Sequence, residues 1–351
     1  MRADGEADEI AGDALHQAML RRLPRRIAAT GRILLPAAPS LTDHYTELLQ
    51  TTFAELGRVF AQAETAHLRD LVRRRLAEGF ALSPHARIAV DYRTEEPPDL
   101  SIAYRITLEV TTTADAYAHW VETRPAPLFG KHPDAKVMSA ARSLGPPRDV
   151  CVLDIGAGTG RNALPLARAG FRVDAIEPAP ALADILTADL EREGLEARVL
   201  RGDPLNEELA LPRPHYQLVV LSGVVASHLR DAAECRALFG HAALALAPGG
   251  LLVFNAFLAR EGYAPHAIAR ELSQVFWCTL FTHEQIERAM DGLPFERASD
   301  EAAVELERSA VSPEEWPPTP WFESWSQGQD LFDLTPGSAP MELRWLVYRR
   351  V

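Results

Sequence analysis

The spacing of apolar residues changes along this chain, and the changes divide it. From Leu41 to about Phe80 they recur at helical intervals: Leu41, Tyr45, Leu48, Leu49, Phe53, Leu56 and Phe60, then Leu68, Leu71, Leu76 and Phe80. Steps of three and four place such residues on one face, so the spacing predicts two helices, or one bent near Gln62 to Thr65. The period then shortens to two. Arg87 to Tyr92 and Ser101 to Val110 alternate, the second with Tyr104, Ile106, Leu108 and Val110 on one face. Glu95-Glu-Pro-Pro-Asp between them has loop composition, so the pair reads as a hairpin. Shorter helices are predicted at Leu15 to Leu23, Thr113 to Trp120 and Asp134 to Leu144.

From Val150 onward short apolar runs alternate with amphipathic stretches. Strands are predicted at Val150 to Ile155, Phe171 to Glu177, Glu196 to Gly202, Tyr216 to Leu221 and Leu251 to Asn255. Helices fall between them: Asn162 to a stop at Gly170, Ala181 to Glu193, and Asp231 to Leu246. Residues 256–266 read as a loop at the rim of the sheet. Thr282 is the expected cap of a following helix, with Gln285 completing a capping box. Phe295 to Val304 and Glu342 to Arg349 make a final antiparallel pair. Runs without alternation suit strands buried on both faces, and strand–helix repetition suits a parallel sheet. The expected organisation is a helical-plus-hairpin appendage over 1–112, linker helices over 113–149 and an α/β domain over 150–351.

Composition narrows the classes. The chain has 351 residues and a net charge of −13. An acidic balance argues against a protein built mainly to grip nucleic acid. The densest basic run, Arg21-Arg22-Leu-Pro-Arg25-Arg26, and Arg73-Arg-Arg75 read foremost as solvated helix ends. Cys151, Cys235 and Cys278 are odd in number and far apart, with no metal-ligand spacing, so no metal is expected. The cysteine usage, with no long apolar run and an acidic start at residues 3–9, points to a cytoplasmic protein that spans no membrane.

The richest stretch is Asp154-Ile-Gly156-Ala157-Gly158-Thr-Gly160-Arg161-Asn162. It joins the first strand of the α/β domain to its helix. Glycine lets the backbone approach a ligand where a Cβ would collide. The helix beyond offers free N–H groups. The nicotinamide fingerprint would want a third glycine at position 161, which is Arg161. The sequence instead gives an acidic residue followed by Gly-x-Gly-x-Gly. In this it resembles the class I S-adenosylmethionine-dependent methyltransferases. Ala247-Pro-Gly-Gly250 before an apolar strand, and Tyr216 to Ser222, are similar to later motifs of that family.

The resemblance implies a Rossmann-like sheet, mostly parallel with the last strand antiparallel, and S-adenosylmethionine as cofactor. It implies cofactor contacts from Asp154, Gly156, Ala157, Gly158, Gly160 and Asn162. Glu177, 17 positions beyond Gly160, would hold the ribose hydroxyls, with Pro178 beside it. Asp203 would meet the adenine amino group and Pro204 would flank the base. Ser222 and Gly223 would contact the methionine part. In the family the segment before the first strand often folds over the cofactor. Here that segment holds Tyr117, Trp120, Arg124 and His132. His228, six residues past Ser222, lies at a place where relatives often carry a histidine. Tyr117 and His228 are therefore the candidate catalytic residues, with His132 a further candidate base.

The insert over 310–340 holds three of the six tryptophans, Trp316, Trp321 and Trp325, in a Pro-rich run. It reads as an aromatic wall of the acceptor site, or as a segment packed against the appendage. A sulfonium methyl is already activated, so a protein that uses it must mainly hold the nucleophile dry and aligned. The expectation is methyl transfer to a small molecule through oxygen, nitrogen, sulfur or carbon. The alternatives are an RNA or protein methyltransferase docked by the appendage, and a non-catalytic cofactor-binding scaffold or sensor. A homodimer through the appendage is a further expectation.

Overall fold

The computed structural model describes residues 13–95, 101–205 and 215–351. The acidic start of the chain and residues 96–99 of the expected hairpin turn lie outside these. The chain divides into two units, residues 1–112 and 113–351.

In the first unit a helix, α1, covers residues 13–20. Strands β1 (Thr30–Pro36), β2 (Arg87–Thr94) and β3 (Ile102–Glu109) form an antiparallel sheet in that order. Helices α2 (Thr42–Glu55) and α3 (Gln62–Leu82) carry the helical periodicity as two separate elements. Their stripe of Leu49, Phe53, Leu68, Val72 and Leu76 packs on Leu35, Ile88, Val90 and Ile106 of the sheet. The expected hairpin is β2–β3, with Tyr92 opposite Tyr104. β1 was not expected. Its apolar residues run together as Ile33-Leu-Leu, without alternation, and only pairing with β2 makes a strand of them. Arg58, almost fully buried, donates to the Ser101 and Glu95 carbonyls at 2.8 and 2.7 Å and ties the two strands together at the turn end of the hairpin. Arg73 and Arg75 pair with Asp70 and Glu78 on the surface of α3, as a solvated helix face does.

The second unit opens with α4 (Thr113–Thr123) and α5 (Ala135–Ser143). Its strands are β4 (Cys151–Ile155), β5 (Arg172–Ile176), β6 (Ala197–Leu200), β7 (Tyr216–Leu221), β8 (Leu246–Ala259), β9 (Leu280–Phe281), β10 (Phe295–Ala302) and β11 (Met341–Arg350). The order is β10-β11-β8-β7-β4-β5-β6, with β9 beside β8. β4 pairs in parallel with β5 and β7, and β11 runs antiparallel between β8 and β10. This is the expected mostly parallel sheet with its last strand reversed. The chain order switches direction at β4, between β5 and β7, where open α/β sheets place their ligands.

Helices cover both faces. α5, α6 (Ala163–Arg168) and α7 (Pro180–Glu193) pack on Val152, Val173, Leu218 and Val253. α8 (Val224–Ser227), α9 (Ala232–Ala245) and α11 (His283–Met290) pack on Leu153, Val219, Leu221 and Leu252. α10 (Ala267–Val275), α12 (Ala303–Ala310) and α13 (Phe322–Ser326) complete the set. α11 starts at the expected capping box: the Thr282 hydroxyl takes the Gln285 N–H, and the Gln285 side chain takes the Thr282 N–H. Residues 256–259 are a correction. They were expected as loop, yet they continue β8 to Ala259, because β11 pairs with them through Met341 to Arg344. Nothing local in Ala-Phe-Leu-Ala announces that partner. Among the described residues no helix is long and apolar enough to cross a membrane.

Candidate functional site

Three glycines turn the chain out of β4. Gly156, Gly158 and Gly160 have φ of 73°, 58° and 91°, all left-handed. Gly156 and Ala157 donate to the Ile176 carbonyl at 2.8 and 3.1 Å, which holds the corner against the end of β5. Gly158, at the middle of the turn, is half-buried. A Cβ there would lie 3.3 Å from the ring of Phe129. An aromatic ring thus lies directly on the bare backbone, in the segment expected to fold over this corner.

Glu177 stands at the end of β5 and is 3% exposed. One of its oxygens accepts the Gly158 N–H at 2.7 Å, the other the Ala179 N–H at 2.8 Å. Burial raises its pKa, and those two backbone bonds oppose the rise. The carboxylate is therefore fixed to the glycine corner. Pro178 beside it is exposed.

Asp154 is 2% exposed, and its Oδ2 has no hydrogen-bond partner. Burial first, then the nearby Asp134 carboxylate, push it up to about 7, while Arg161 pulls the other way. A polar network lies alongside. Asp134 accepts from the Arg161 guanidinium, from Asn162 Nδ2 at 2.8 Å and from Ser222 Oγ at 2.5 Å. Asn162 Oδ1 in turn accepts the Asp134 N–H at 2.8 Å. Arg161 also donates to Ser222 at 3.1 Å. Gly223, with φ of 77°, gives its N–H to Asn255 Oδ1 at 2.7 Å. Glu307 of α12 caps the N-terminus of α5, taking the Ala135 and Lys136 N–H groups, and burial raises its pKa.

The aromatic group forms the third part. Tyr117 Oη and His228 Nε2 are 2.9 Å apart, although 111 positions separate them in the chain. Tyr117 stacks edge-on against Trp120 at 5.2 Å and Phe129 at 5.9 Å. Trp277 joins them, 5.4 Å from Tyr117 and 5.5 Å from His228. Burial and the Glu177 charge raise the Tyr117 pKa well above the usual phenol range. Phe129, which lies against Gly158, is the ring that joins Tyr117 to the glycine corner.

Of the other expected residues, Arg124 borders the aromatic group and the rest have partners of their own. Arg124 stacks on Trp120 at 4.1 Å. His132 faces Glu315 at 3.5 Å. Trp316 packs on Phe322 and under Arg308, and Trp321 packs on Phe322 and Trp325. Asp203 takes the Leu205 N–H at 2.9 Å, the turn geometry its Gly-Asp-Pro setting favours, and Pro204 gives its carbonyl to His241. The sequence reading missed Asp134, Arg161, Phe129, Trp277 and Glu307 as parts of the site. Only Arg161 carried a signal, since it occupies the place that breaks the nicotinamide pattern.

These features fit S-adenosylmethionine. A cradle that a Cβ would fill, a carboxylate anchored beside it and an unpartnered buried oxygen suit a nucleoside joined to a cationic tail. No cluster of three metal-ligating side chains occurs among the described residues.

Comparison with known proteins gives a family match over part of the chain. Residues 152–250 match the family model described as "Methyltransferase domain". None of the curated proteins matches. Among solved structures, geranyl diphosphate C-methyltransferase from Streptomyces coelicolor aligns with a TM-score of 0.49 and 15% identity, over 69% of this chain and 99% of that one. A putative sarcosine dimethylglycine methyltransferase from Galdieria sulphuraria aligns at 0.47 and 19%, over 62% and 84%. The [4+2]-cyclase SpnF aligns at 0.46 and 16%, over 67% and 91%. The matched span runs from β4 through the glycine corner to β8, and this part of the chain is similar to a methyltransferase domain.

Proposed function

We propose that the protein is an S-adenosylmethionine-dependent methyltransferase that transfers a methyl group to a small molecule, with Tyr117 passing the acceptor's proton on to His228. The observation that carries this is the 2.9 Å contact between Tyr117 Oη and His228 Nε2. Tyr117 is held as a neutral phenol by burial and by Glu177. A phenol that donates to His228 Nε2 can also accept, so a proton given to Tyr117 Oη is passed on to the imidazole. The pair lies among rings, and Phe129 links it to the glycine corner.

Asp154, Gly156, Ala157, Gly158, Gly160, Asn162, Glu177 and Pro178 would hold the nucleoside end of S-adenosylmethionine, with Asp203 and Pro204 toward the base. Ser222 and Gly223 would meet the methionine end. When bound, the cofactor supplies an activated methyl group on a sulfonium. The chain's part is to exclude water with Phe129, Trp120 and Trp277, and to remove one proton. The net charge of −13 supports a small acceptor over a nucleic acid.

Titration calorimetry with S-adenosylhomocysteine tests the cofactor half. Tyr117→Phe and His228→Ala test the rest: both should slow turnover while leaving that affinity within about twofold. Steep loss of affinity in either variant, or unchanged turnover in both, would refute the assignment. Tight retention on heparin at low salt would instead favour a nucleic-acid acceptor.

A further inference from the structure

Buried carboxyl groups are concentrated about the ends of β4 and β5, and hydrogen bonds account for all but one of them. Asp154 lies two residues before Gly156 and is paired in the sheet with Ala175 of β5. Glu177 follows that strand and holds the Gly158 and Ala179 N–H groups. Asp134 holds Arg161, Asn162 and Ser222, the first two in the segment that leads from the glycine corner into α6. Glu307 holds the Ala135 and Lys136 N–H groups and the Trp345 indole at 2.9 Å. Of these four residues only Asp154 keeps a bare oxygen, Oδ2, and it is 2% exposed. One guanidinium, Arg161, serves the group, and it is already paired with Asp134. The Lys136 ammonium is turned to Ser299 and Glu301. β7, the other neighbour of β4, is followed by the uncharged Ser222. An ionised carboxylate that is buried with an oxygen unsupported is costly, so the group keeps its proton until positive charge comes beside it. The charges that act on Asp154 agree: burial and Asp134 push it up to about 7, Glu177 adds to this, and only Arg161 opposes.

We propose that Asp154 releases its proton when S-adenosylmethionine binds, and that this release lets the protein distinguish the sulfonium from the neutral thioether product, more sharply as pH rises from 5.5 to 7. This rests on S-adenosylmethionine being the ligand of the glycine corner. That ligand carries two cations, an ammonium and a sulfonium, against one carboxylate, and the product has lost the sulfonium charge. Positive charge beside a carboxyl favours its ionised form. The interaction is several times stronger beside a protein interior than in water. Asp134, Glu177 and Glu307 have donors on their oxygens whether or not a ligand is bound. Asp154 has one oxygen without a donor, so its state is the one a ligand decides. In the step the carboxyl O–H bond breaks, its electron pair stays on oxygen and the proton passes to solvent. By linkage, whatever drives that proton off is itself bound more tightly as the proton becomes scarcer. Once the sulfonium charge is gone the carboxyl takes a proton back, and the hold on the thioether weakens.

The test is titration calorimetry of the full chain with S-adenosylmethionine and with S-adenosylhomocysteine at pH 5.5, 6, 6.5 and 7. Each titration is run in two buffers of different ionisation enthalpy, so that the difference in heat counts protons. At pH 6 the wild type should release about half a proton or more with S-adenosylmethionine, and less with S-adenosylhomocysteine. From pH 5.5 to 7 its affinity for S-adenosylmethionine should rise at least about fourfold, and the ratio of the two affinities at least about threefold. Asp154→Asn should release no proton and hold that ratio constant within about twofold. The ligands' own amino groups titrate alike against both proteins, so the difference between the proteins reads Asp154. Binding of S-adenosylmethionine by the wild type without proton release overturns the inference while the cofactor assignment stands, and this measurement needs no variant to fold. Release that persists in Asp154→Asn assigns the proton to another acid and overturns the role of Asp154. Equal release with the two ligands overturns the discrimination. If neither ligand binds the wild type, the cofactor reading fails and this inference with it.

Discussion

Asp154→Asn isolates a buried carboxyl whose proton the fold controls. Asp154 is 2% exposed and is pushed up to about 7, chiefly by desolvation. In the unfolded chain the same group titrates near 3.9. Between about pH 4 and 7 the native state therefore keeps a proton that the unfolded state has released. Stability then falls as pH rises through that window, by about 1.4 kcal/mol per unit, and levels off above it. Asparagine has the same size and no charge, so it removes the slope. It leaves an amide facing the site where Oδ2 lacks a partner, a cost that does not depend on pH. From pH 5 to pH 7 the variant should gain roughly 2 kcal/mol on the wild type, since the slope halves at the native pKa. For a unit of this size that is roughly 4 to 8 °C in unfolding midpoint. Tryptophan fluorescence during urea unfolding at pH 5, 6, 7 and 8 reads it out. All six tryptophans lie in residues 113–351, so the signal reports on that unit alone. A constant offset between the two proteins across this range would refute the argument.

Four further outcomes are expected. Gly158→Val should abolish S-adenosylhomocysteine binding by calorimetry, since φ is 58° and the added Cβ meets the Phe129 ring at 3.3 Å. Glu177→Ala should weaken the same binding by roughly 1 to 3 kcal/mol, and Glu177→Gln by less, because it keeps an acceptor for the Gly158 or Ala179 N–H. Thr282→Ala removes one half of the capping box of α11 and should lower stability by about 1 kcal/mol in urea unfolding. Phe53→Ala empties a fully buried site in the first unit, and should lower its unfolding free energy by about 3 to 5 kcal/mol, followed by circular dichroism.

What could be read in the sequence was what is encoded locally. The glycine corner announced itself because positive φ at three alternate positions admits little but glycine. The capping box at Thr282 and the apolar strands β4 and β7 were equally legible, for each depends on neighbours in the chain. β1 and the last residues of β8 were not, because their partners, β2 and β11, are more than fifty residues away. The aromatic site behaves in the same way. Tyr117 and His228 were each named by position, but the bond that unites them spans 111 residues. Trp277 could not be found from its surroundings in the sequence at all. Phe276-Trp277-Cys278 reads as filler; only the fold reveals that a tryptophan occupies a backbone shape normally left to glycine. Local rules break where a tertiary arrangement imposes a conformation the residue does not prefer, and such places concentrate at functional sites. In this chain that break falls on the indole beside His228. The glycine corner is open to sequence reading because its residues are consecutive. The aromatic group joins Tyr117, Phe129, His228 and Trp277, so it appears only once the distant segments are brought together.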